Sequence, residues 1–225
     1  MGILNRESKG TPKGGQFAED RKPEGDDLAS VDSVTSWSPP AEFNFGAGPV
    51  PAHQHKNGGG WVANTATVED LVFVGPDATV RDTAKVLGSA KILGTAKVSG
   101  NATVSGKAQV YGDASISGDA VVSDDALITE DATISGRAHV DMAARIAGSA
   151  SIFEDACVSG KAIVQGDAVV YGQSHIHDTA IITGDTEIRG NAQIRGLSVL
   201  AGNTKVFGDM EIADVVVIDN EVSSY

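Results

Sequence analysis

Four side chains in the C-terminal half of the sequence have the chemistry of metal ligands or proton carriers. His139, Cys157 and His175 recur at every eighteenth position, and His177 lies two positions beyond His175. Imidazole and thiolate groups bind zinc, and a neutral imidazole can act as a general base. Strong zinc motifs have four ligands at tighter spacing. These residues are therefore weak metal candidates. The sequence favours imidazoles in a subunit interface or in water, and we expect neither a bound metal nor a cofactor.

A repeat of six positions determines where these side chains lie. From Ala66 onward the sequence reads Ala-x-Val-x-Gly-x without a gap, and the third position is Val, Ile or Leu at every step from Val68 to Ile218. Side chains two positions apart point to the same side of a strand, so the small first residue and the aliphatic third residue both face inward. The fifth and sixth positions form a corner, because glycine tolerates positive φ and Asp or Asn bonds locally. A period of six with this alternation excludes an α-helix.

This pattern resembles the hexapeptide-repeat family, in which an aliphatic residue is followed four positions later by a small one. Val98 with Ala102 and Ile116 with Ala120 match that pattern. The resemblance covers residues 66–218. It implies an all-β fold, a left-handed parallel β-helix with three hexads per coil and about nine coils. It says little about function, because the family includes acyltransferases, carbonic anhydrases and proteins without catalysis.

The remaining segments flank this repeat. Residues 1–40 are rich in charged residues, Gly, Ser and Pro, which predicts a disordered leader. Its segment 10–18 resembles a leader at the start of unrelated actinobacterial and actinophage proteins. Residues 41–65 are predicted to cap the first coil, and residues 219–225 to form a short tail. The cap prediction rests on the aromatic residues that precede the first coil, namely Trp37, Phe43, Phe45 and Trp61.

The charge and the cysteine content limit the partners and the compartment. A net charge of −13 repels nucleic acid and anionic membranes, so neither is an expected partner. The single cysteine excludes an intrachain disulfide. The start of the chain has no apolar signal core, and no apolar run has the length of a membrane span. We therefore expect a cytoplasmic protein, or a virion-associated one if a phage encodes it.

Two columns of outward residues depart from a solvated surface. With three hexads per coil, side chains that are one full coil apart stack on one another, and most such columns are polar. Exposed apolar stripes of this kind usually mark an interface, so we predict a homo-oligomer or a protein partner. The family resemblance implies a trimer. The first column is Ile163, Ile181, Val199 and Val217, and the second contains Phe153, Tyr171, Arg189 and Phe207.

Two enzyme activities of the family can be compared with these residues. The segment 173–177 looks like the Gln-Ser-x-Val-His stretch of γ-class carbonic anhydrases, but only His177 falls on a ligand position. The other two ligand positions are Gly172 and Gly136, which argues against this activity. Acyltransferases of the family carry a catalytic histidine on or near a loop inserted between coils. The repeat here shows no such break.

The leading hypothesis is a non-catalytic structural or binding module that self-associates and is encoded by a phage or mobile element. The alternative is an acyltransferase that depends on acetyl- or acyl-CoA, active or degenerate, with His139, His175 or His177 as general base. An ice-binding surface and a nucleic-acid mimic are further alternatives. An ice-binding surface requires repeated Thr-x-Thr on one flat face, and this pattern is too sparse here. A nucleic-acid mimic requires two rows of acidic residues at phosphate spacing, and the acids of this sequence do not form them. No catalytic residue is assigned.

Overall fold

A computed structural model of the protein describes residues 41–223. The predicted leader, its actinobacterial resemblance and Trp37 lie outside the described residues. The described chain is a parallel β-solenoid with three faces and about nine coils, which confirms the predicted fold class. None of the described residues belongs to a helix with the length and apolar character that a membrane span requires.

The strands begin with an antiparallel unit and continue into three parallel sheets. The first three strands are β1 (Glu42–Asn44), β2 (Pro49–Gln54) and β3 (Trp61–Ala63), and β3 starts the solenoid. The chain then visits face 1, face 2 and face 3 in turn. Face 1 contains β4 (Thr67–Val68), β7 (Lys85–Val86), β10 (Thr103–Val104), β13 (Val121–Val122), β16 (His139–Val140), β19 (Cys157–Val158), β22 (His175–Ile176), β25 (Gln193–Arg195) and β28 (Glu211–Ala213). Face 2 contains β5 (Phe73–Val74), β8 (Lys91–Ile92), β11 (Gln109–Val110), β14 (Leu127–Ile128), β17 (Arg145–Ile146), β20 (Ile163–Val164), β23 (Ile181–Ile182), β26 (Val199–Ala201) and β29 (Val216–Ile218). Face 3 contains β1, β2, β3, β6 (Thr79–Val80), β9 (Lys97–Val98), β12 (Ser115–Ile116), β15 (Thr133–Ile134), β18 (Ser151–Ile152), β21 (Val169–Val170), β24 (Glu187–Ile188), β27 (Lys205–Phe207) and β30 (Glu221–Ser223).

The interior is built from the two inward residues of each hexad. Val80, Val98 and Ile116 pair in register on consecutive coils of face 3, and each is fully buried. The alanines of the first slot, such as Ala102, are fully buried beside them. Burying each aliphatic side chain contributes about 1.5–3 kcal/mol before entropy is counted. The interior therefore stabilises every coil through its neighbours, as in other solenoids.

The corners use positive φ, and several of them carry an acid where most have glycine. Asp82, Glu130 and Glu154 occupy the fifth slot with φ near +60°. Each carboxylate accepts the N–H of the glycine one coil further on; for Asp82 this is Gly100, at 2.9 Å. A residue with a Cβ loses about 1–2 kcal/mol in this conformation, and a charge-assisted hydrogen bond offsets that loss. The acids of the chain thus include residues that join consecutive coils.

Four first-slot positions contain Ser or Thr instead of Ala, and all four are fully buried. Each hydroxyl donates to the backbone carbonyl three positions earlier. Ser174 bonds the Tyr171 carbonyl at 2.7 Å, and Ser198 bonds the Arg195 carbonyl at 2.6 Å. A buried hydroxyl without a partner would destabilise the core. Local bonding therefore lets these positions differ from alanine. The other two positions are Thr186 and Thr204.

The repeat shortens in the last coil, and one sequence-based expectation is wrong there. Val199 pairs with Val216, one position short of a full coil, and Lys205 pairs with Glu221, two positions short. Ile218 therefore points outward and is 59% exposed, while Val217 packs against the core in its place. Val216, not Val217, continues the outward column of face 2. The apolar run 215–218 satisfies either register, so the pattern did not reveal the shorter step.

The corners of this last coil show why a shorter step is tolerated. Asp214 takes the corner with φ of 56°, and its side-chain Oδ1 accepts the Leu197 N–H at 2.8 Å. Asp219 does the same for the Asn203 N–H, also at 2.8 Å. In regular coils a backbone carbonyl accepts the equivalent N–H, as Gly118 does for Asn101. The carboxylates replace those carbonyls.

The segment between β2 and β3 covers the first strand of face 2. The Gly60 N–H donates to the Val74 carbonyl, and the Val74 N–H donates to the Asn57 carbonyl, both at 3.0 Å. The Asn57 side chain also donates to the Val72 carbonyl. His55 is buried within this loop. Edge strands with free backbone groups invite association, and here the edge of β5 has partners within the chain.

Candidate functional site

Face 1 brings the histidines and the cysteine together, as the repeat predicts. His139 pairs with Cys157 and Cys157 with His175 on consecutive strands, about 4.8 Å apart at the backbone. His177 follows on the outer side of β22, with its Nδ1 3.3 Å from Asp178 Oδ1. Within residues 41–223, no three His, Cys, Asp or Glu side chains form an arrangement that could hold a metal ion. The closeness of His139, Cys157 and His175 along the column therefore does not provide a set of metal ligands.

Asp141 is an acid of this face that the sequence pattern did not indicate. Burial is the main cause that raises the pKa of its carboxyl, and the nearby Asp124 adds to it. Its Oδ1 is buried and has no hydrogen-bond partner among the described residues. Burial also raises the pKa of the Cys157 thiol, and Asp141 adds to that shift. A thiol whose pKa is raised forms little thiolate at neutral pH, so it is a poor nucleophile and a poor metal ligand.

The enzyme sites considered from the sequence lack their key elements. Gly172 and Gly136 lie at corners with positive φ and supply no ligand to accompany His177. From β3 to β25 each strand pairs with the strand three hexads further along, so no loop is inserted between those coils. A catalytic histidine on such a loop is therefore not available in this part of the chain.

Face 3 carries the aromatic column, and its members contact one another. The rings of Phe153 and Tyr171 stack with centroids 5.0 Å apart and planes 9° apart. The Arg189 guanidinium lies 4.0 Å from the centroid of the Phe207 ring. Glu187 connects the stacked ring pair with the arginine–phenylalanine pair. Its Oε1 accepts a hydrogen bond from the Tyr171 hydroxyl at 2.7 Å and lies 3.9 Å from Arg189 Nε. The column predicted as an interface is thus also an internal ladder.

Face 2 carries the aliphatic column, whose side chains form no ring stack, cation–π contact or ion pair among the described residues. Ile163, Ile181 and Val199 pair on consecutive strands and are each partly exposed. At its N-terminal end the column meets a shallow groove of about 320 Å³ lined by Ala143, Arg145, Lys161 and Ile163. Neither Arg145 nor Lys161 has an ion-pair partner among residues 41–223. Face 2 therefore presents an apolar stripe next to two free cations.

A second concave region lies under the β1–β2 hairpin, and the sequence-based expectations did not include it. Phe45, Val50 and Arg81 are among the residues that line it. A signal was present: Asn44, Gly46 and Gly48 form a short turn-forming run between two extended segments. That run predicts a hairpin, but the position of the hairpin over the first coils depends on tertiary packing.

Comparisons with known proteins bear on the fold and the repeat. The family model of the YdcK beta solenoid repeat matches residues 96–112 and 108–124. The chain is similar to two solved structures of the acetyltransferase domain of PglB from Neisseria gonorrhoeae FA1090, the second in complex with acetyl coenzyme A. The first match has 24% identity, a TM-score of 0.37, and covers 49% of this chain and 48% of that one. The second has 23% identity, a TM-score of 0.38, and covers 53% and 54%.

The matched region of the solved structures spans about half of each chain, and the likeness concerns the fold alone. No curated protein matches the sequence. The solenoid-repeat match and the three parallel sheets confirm the expectation from the repeat: the chain folds as a hexapeptide-repeat β-solenoid.

Proposed function

We propose that the protein is a non-catalytic structural or binding module whose copies associate through face 2. The observation that carries this proposal is the charge of that face. None of the outward side chains on its nine described strands is a carboxylate, although the chain has a net charge of −13. Faces 1 and 3 both present carboxylates, such as Asp141 and Glu187. Burying an unpaired charge costs several kcal/mol, and the outward side chains of face 2 from Ile163 to Val216 carry no charge, so this stretch of face 2 loses water most readily.

Charges along the two edges of face 2 complement one another under a two-fold axis. Lys107 and Lys161 lie at corners on the edge shared with face 1, and Asp113 and Asp167 lie on the opposite edge, each one hexad later. A two-fold axis parallel to the solenoid brings opposite edges of two copies together at equal height. Lys161 then faces Asp167 of the second copy, and Lys107 faces Asp113. Like charges oppose one another at two heights, where Asp124 and Asp125 face Glu130 and Asp131, and where Asp214 faces Asp219.

The height of face 2 suits such a contact. Nine strands at about 4.8 Å make a face about 40 Å tall, and a side about 15 Å wide gives about 600 Å² per copy. Stable interfaces begin at about 1,200 Å² for both partners together. Parallel, full-height packing reaches this value, whereas packing of the C-terminal half alone reaches about half of it. A face-to-face contact is isologous and gives a dimer.

Sedimentation equilibrium tests the association. We expect twice the 23.0 kDa chain mass for the wild type and the mass of one chain for Ile181→Glu. Val121→Glu is the matched control, because Val121 is a partly exposed β-branched residue at the same slot of face 1, and it should stay dimeric. A monomeric wild type, a trimer, or equal dissociation by both variants would overturn face 2 as the contact.

The charge pair gives a second, independent measurement. Lys161→Glu should weaken the dimer at least tenfold, and Lys161→Glu combined with Asp167→Lys should restore it. Within one chain the two residues lie on opposite edges of face 2, so restoration reports a contact between copies. If the double variant is no tighter than the single one, the parallel arrangement is refuted.

The same samples separate this proposal from an acyltransferase. A ligand at about 100 times its Kd stabilises a folded protein by about 2.7 kcal/mol, which raises the melting temperature by several degrees. We expect no such shift with acetyl-CoA, and no turnover that His175→Ala abolishes. A clear thermal shift together with turnover lost in His175→Ala would replace the structural proposal with the catalytic one.

The setting of the protein is part of the same proposal. The resemblance of segment 10–18 supports an origin in an actinobacterium or its phage, and a cytoplasmic or virion-associated location is proposed with that origin. Immunodetection of the chain in purified virions and in cell lysates tests it, and a secreted product would contradict it.

A further inference from the structure

The β1–β2 hairpin projects beyond the first coil. Strand β2 pairs with β3 only through Ala52–Gln54, while Pro49–Pro51 pair with β1. The Pro51 carbonyl accepts the Asn64 N–H at 2.9 Å, where the chain leaves β3 for its corner. The hairpin tip therefore extends past the end of β3 and hangs over this corner. We refer to it as the overhang, residues 45–51.

Contacts within the chain hold the overhang in place. The Asn44 side-chain oxygen accepts the N–H of Gly46 at 2.8 Å and of Gly48 at 3.1 Å. The Phe43 ring stacks on Trp61 with centroids 4.6 Å apart, and Phe45 meets Phe43 edge-on at 4.8 Å. A tip ordered by three rings and an Asx turn is a preformed wall.

A cavity of about 390 Å³ lies beneath the overhang. Its apolar wall comes from Phe45, Ala47, Val50 and Pro51, and the opposite side includes Arg81 and Asp82. Small-molecule sites typically measure about 300–1,000 Å³ and combine apolar walls with a few polar groups. The size and the lining therefore match a compact apolar ligand with one polar end.

The two charged residues of the lining are not equivalent. The Asp82 carboxylate accepts the Gly100 N–H at 2.9 Å. Gly100 lies one coil toward the C-terminus, whereas the overhang lies on the N-terminal side, so one oxygen of this carboxylate is bonded on the side away from the overhang. Arg81 is partly buried and forms no ion pair within residues 41–223. A guanidinium binds carboxylates in a bidentate manner, and more strongly where water is excluded.

We propose that this cavity binds a small apolar carboxylate, with the acid group on Arg81 and the apolar body against the overhang. The site is separate from face 2 and does not depend on association of copies. Arg81 is a binding residue here, and the overhang determines the size of the ligand.

Calorimetric titration with 2-naphthoate tests the proposal, with 2-naphthamide as its neutral isostere. We expect saturable one-to-one binding of naphthoate to the full chain and at least tenfold weaker binding of the amide. Arg81→Gln should weaken naphthoate at least tenfold. Lys97→Gln, which removes an exposed cation from the next coil of the same face, should leave binding unchanged. Val50→Asp, at an exposed wall position, should abolish it.

Three results would overturn the proposal. Naphthoate that does not saturate at millimolar concentration shows that the cavity is not a site. Equal losses in Arg81→Gln and Lys97→Gln show that general charge, not Arg81, attracts the ligand. Equal affinity for acid and amide removes the carboxylate from the recognised chemistry. Circular dichroism of each variant confirms that the solenoid is intact before titration.

Discussion

Two apolar stripes rise along the C-terminal half of the solenoid, and they differ in what their side chains contact. On face 3, Phe153 stacks on Tyr171, and Arg189 covers the Phe207 ring. On face 2, Ile181 and its neighbours are partly exposed and have no ring or ion-pair partner in the described chain. Both stripes predict an interface from composition alone. Among the described residues, ring stacking, a cation–π contact and a carboxylate join the side chains of the face 3 stripe, and no such contact joins those of the face 2 stripe.

This difference has a physical basis in residue shape. The planes of the Phe153 and Tyr171 rings are nearly parallel, so each ring covers one face of the other. β-Branched aliphatic side chains also contact their neighbours at the strand spacing of about 4.8 Å, but they leave their outer methyl groups facing away from the sheet. A column of rings thus completes its own contacts, whereas a column of isoleucines leaves a continuous apolar strip.

The largest effect should come from the interior beneath both stripes. Ile116→Asp places a charge in a fully buried slot and should cost more than about 3 kcal/mol. The matched control is Ser115→Asp, the outward neighbour on the same strand, which should change stability by less than about 0.5 kcal/mol. Urea unfolding followed by circular dichroism measures both. Equal unfolding midpoints for the two variants would contradict the assignment of Ile116 to the interior. The outward assignment of both stripes, which follows from the same alternation, would then fail as well.

A crossed pair of variants tests the comparison itself. Phe153→Ser with Tyr171→Ser should lower the free energy of unfolding by about 1–2 kcal/mol, since the ring stack is lost, and leave the dimer intact. Ile181→Ser should change unfolding by less than about 1 kcal/mol but weaken association about tenfold. Sedimentation and urea unfolding give the two readouts. Dissociation of the double serine variant would show that the aromatic column is itself an interface.

The smallest effect concerns the pKa of Tyr171. Its hydrogen bond to Glu187 is the main cause that raises this pKa, with burial and the Glu187 charge adding to it. The bond therefore stabilises the fold below the ordinary tyrosine pKa of about 10, and that contribution is lost as pH rises through the folded value. Glu187→Gln should lower the Tyr171 pKa, as measured by ultraviolet titration. An unchanged titration curve would mean that the ladder does not depend on this bond in solution.

Sequence periodicity predicts what depends on register and misses what depends on orientation. The inward positions of Val98 and Ile116 follow from alternation, and the closeness of Phe153 to Tyr171 follows from the coil period. The tilt of those rings does not follow, because it is decided by rotamers and by Glu187. The apolar run around Ile218 fits two registers, so its position was predicted wrongly. The position of Arg81 in the cavity lining was not predicted, because the hairpin that covers it comes from an earlier part of the sequence and its placement depends on tertiary packing.

The constant circuit of three hexads also constrains how such a chain can lengthen or shorten over evolution. Loss or duplication of a whole circuit, such as residues 97–114, would keep every face continuous and change only the height. Loss of one hexad, such as residues 97–102, would preserve the inward pattern but turn everything after it by a third of a revolution. The stripe of Ile163, Ile181 and Val199 would then belong to the same sheet as N-terminal strands that now lie on another face. Insertions and deletions therefore preserve the outer surfaces only when they contain three hexads, whereas the buried pattern is preserved by an insertion or deletion of a single hexad.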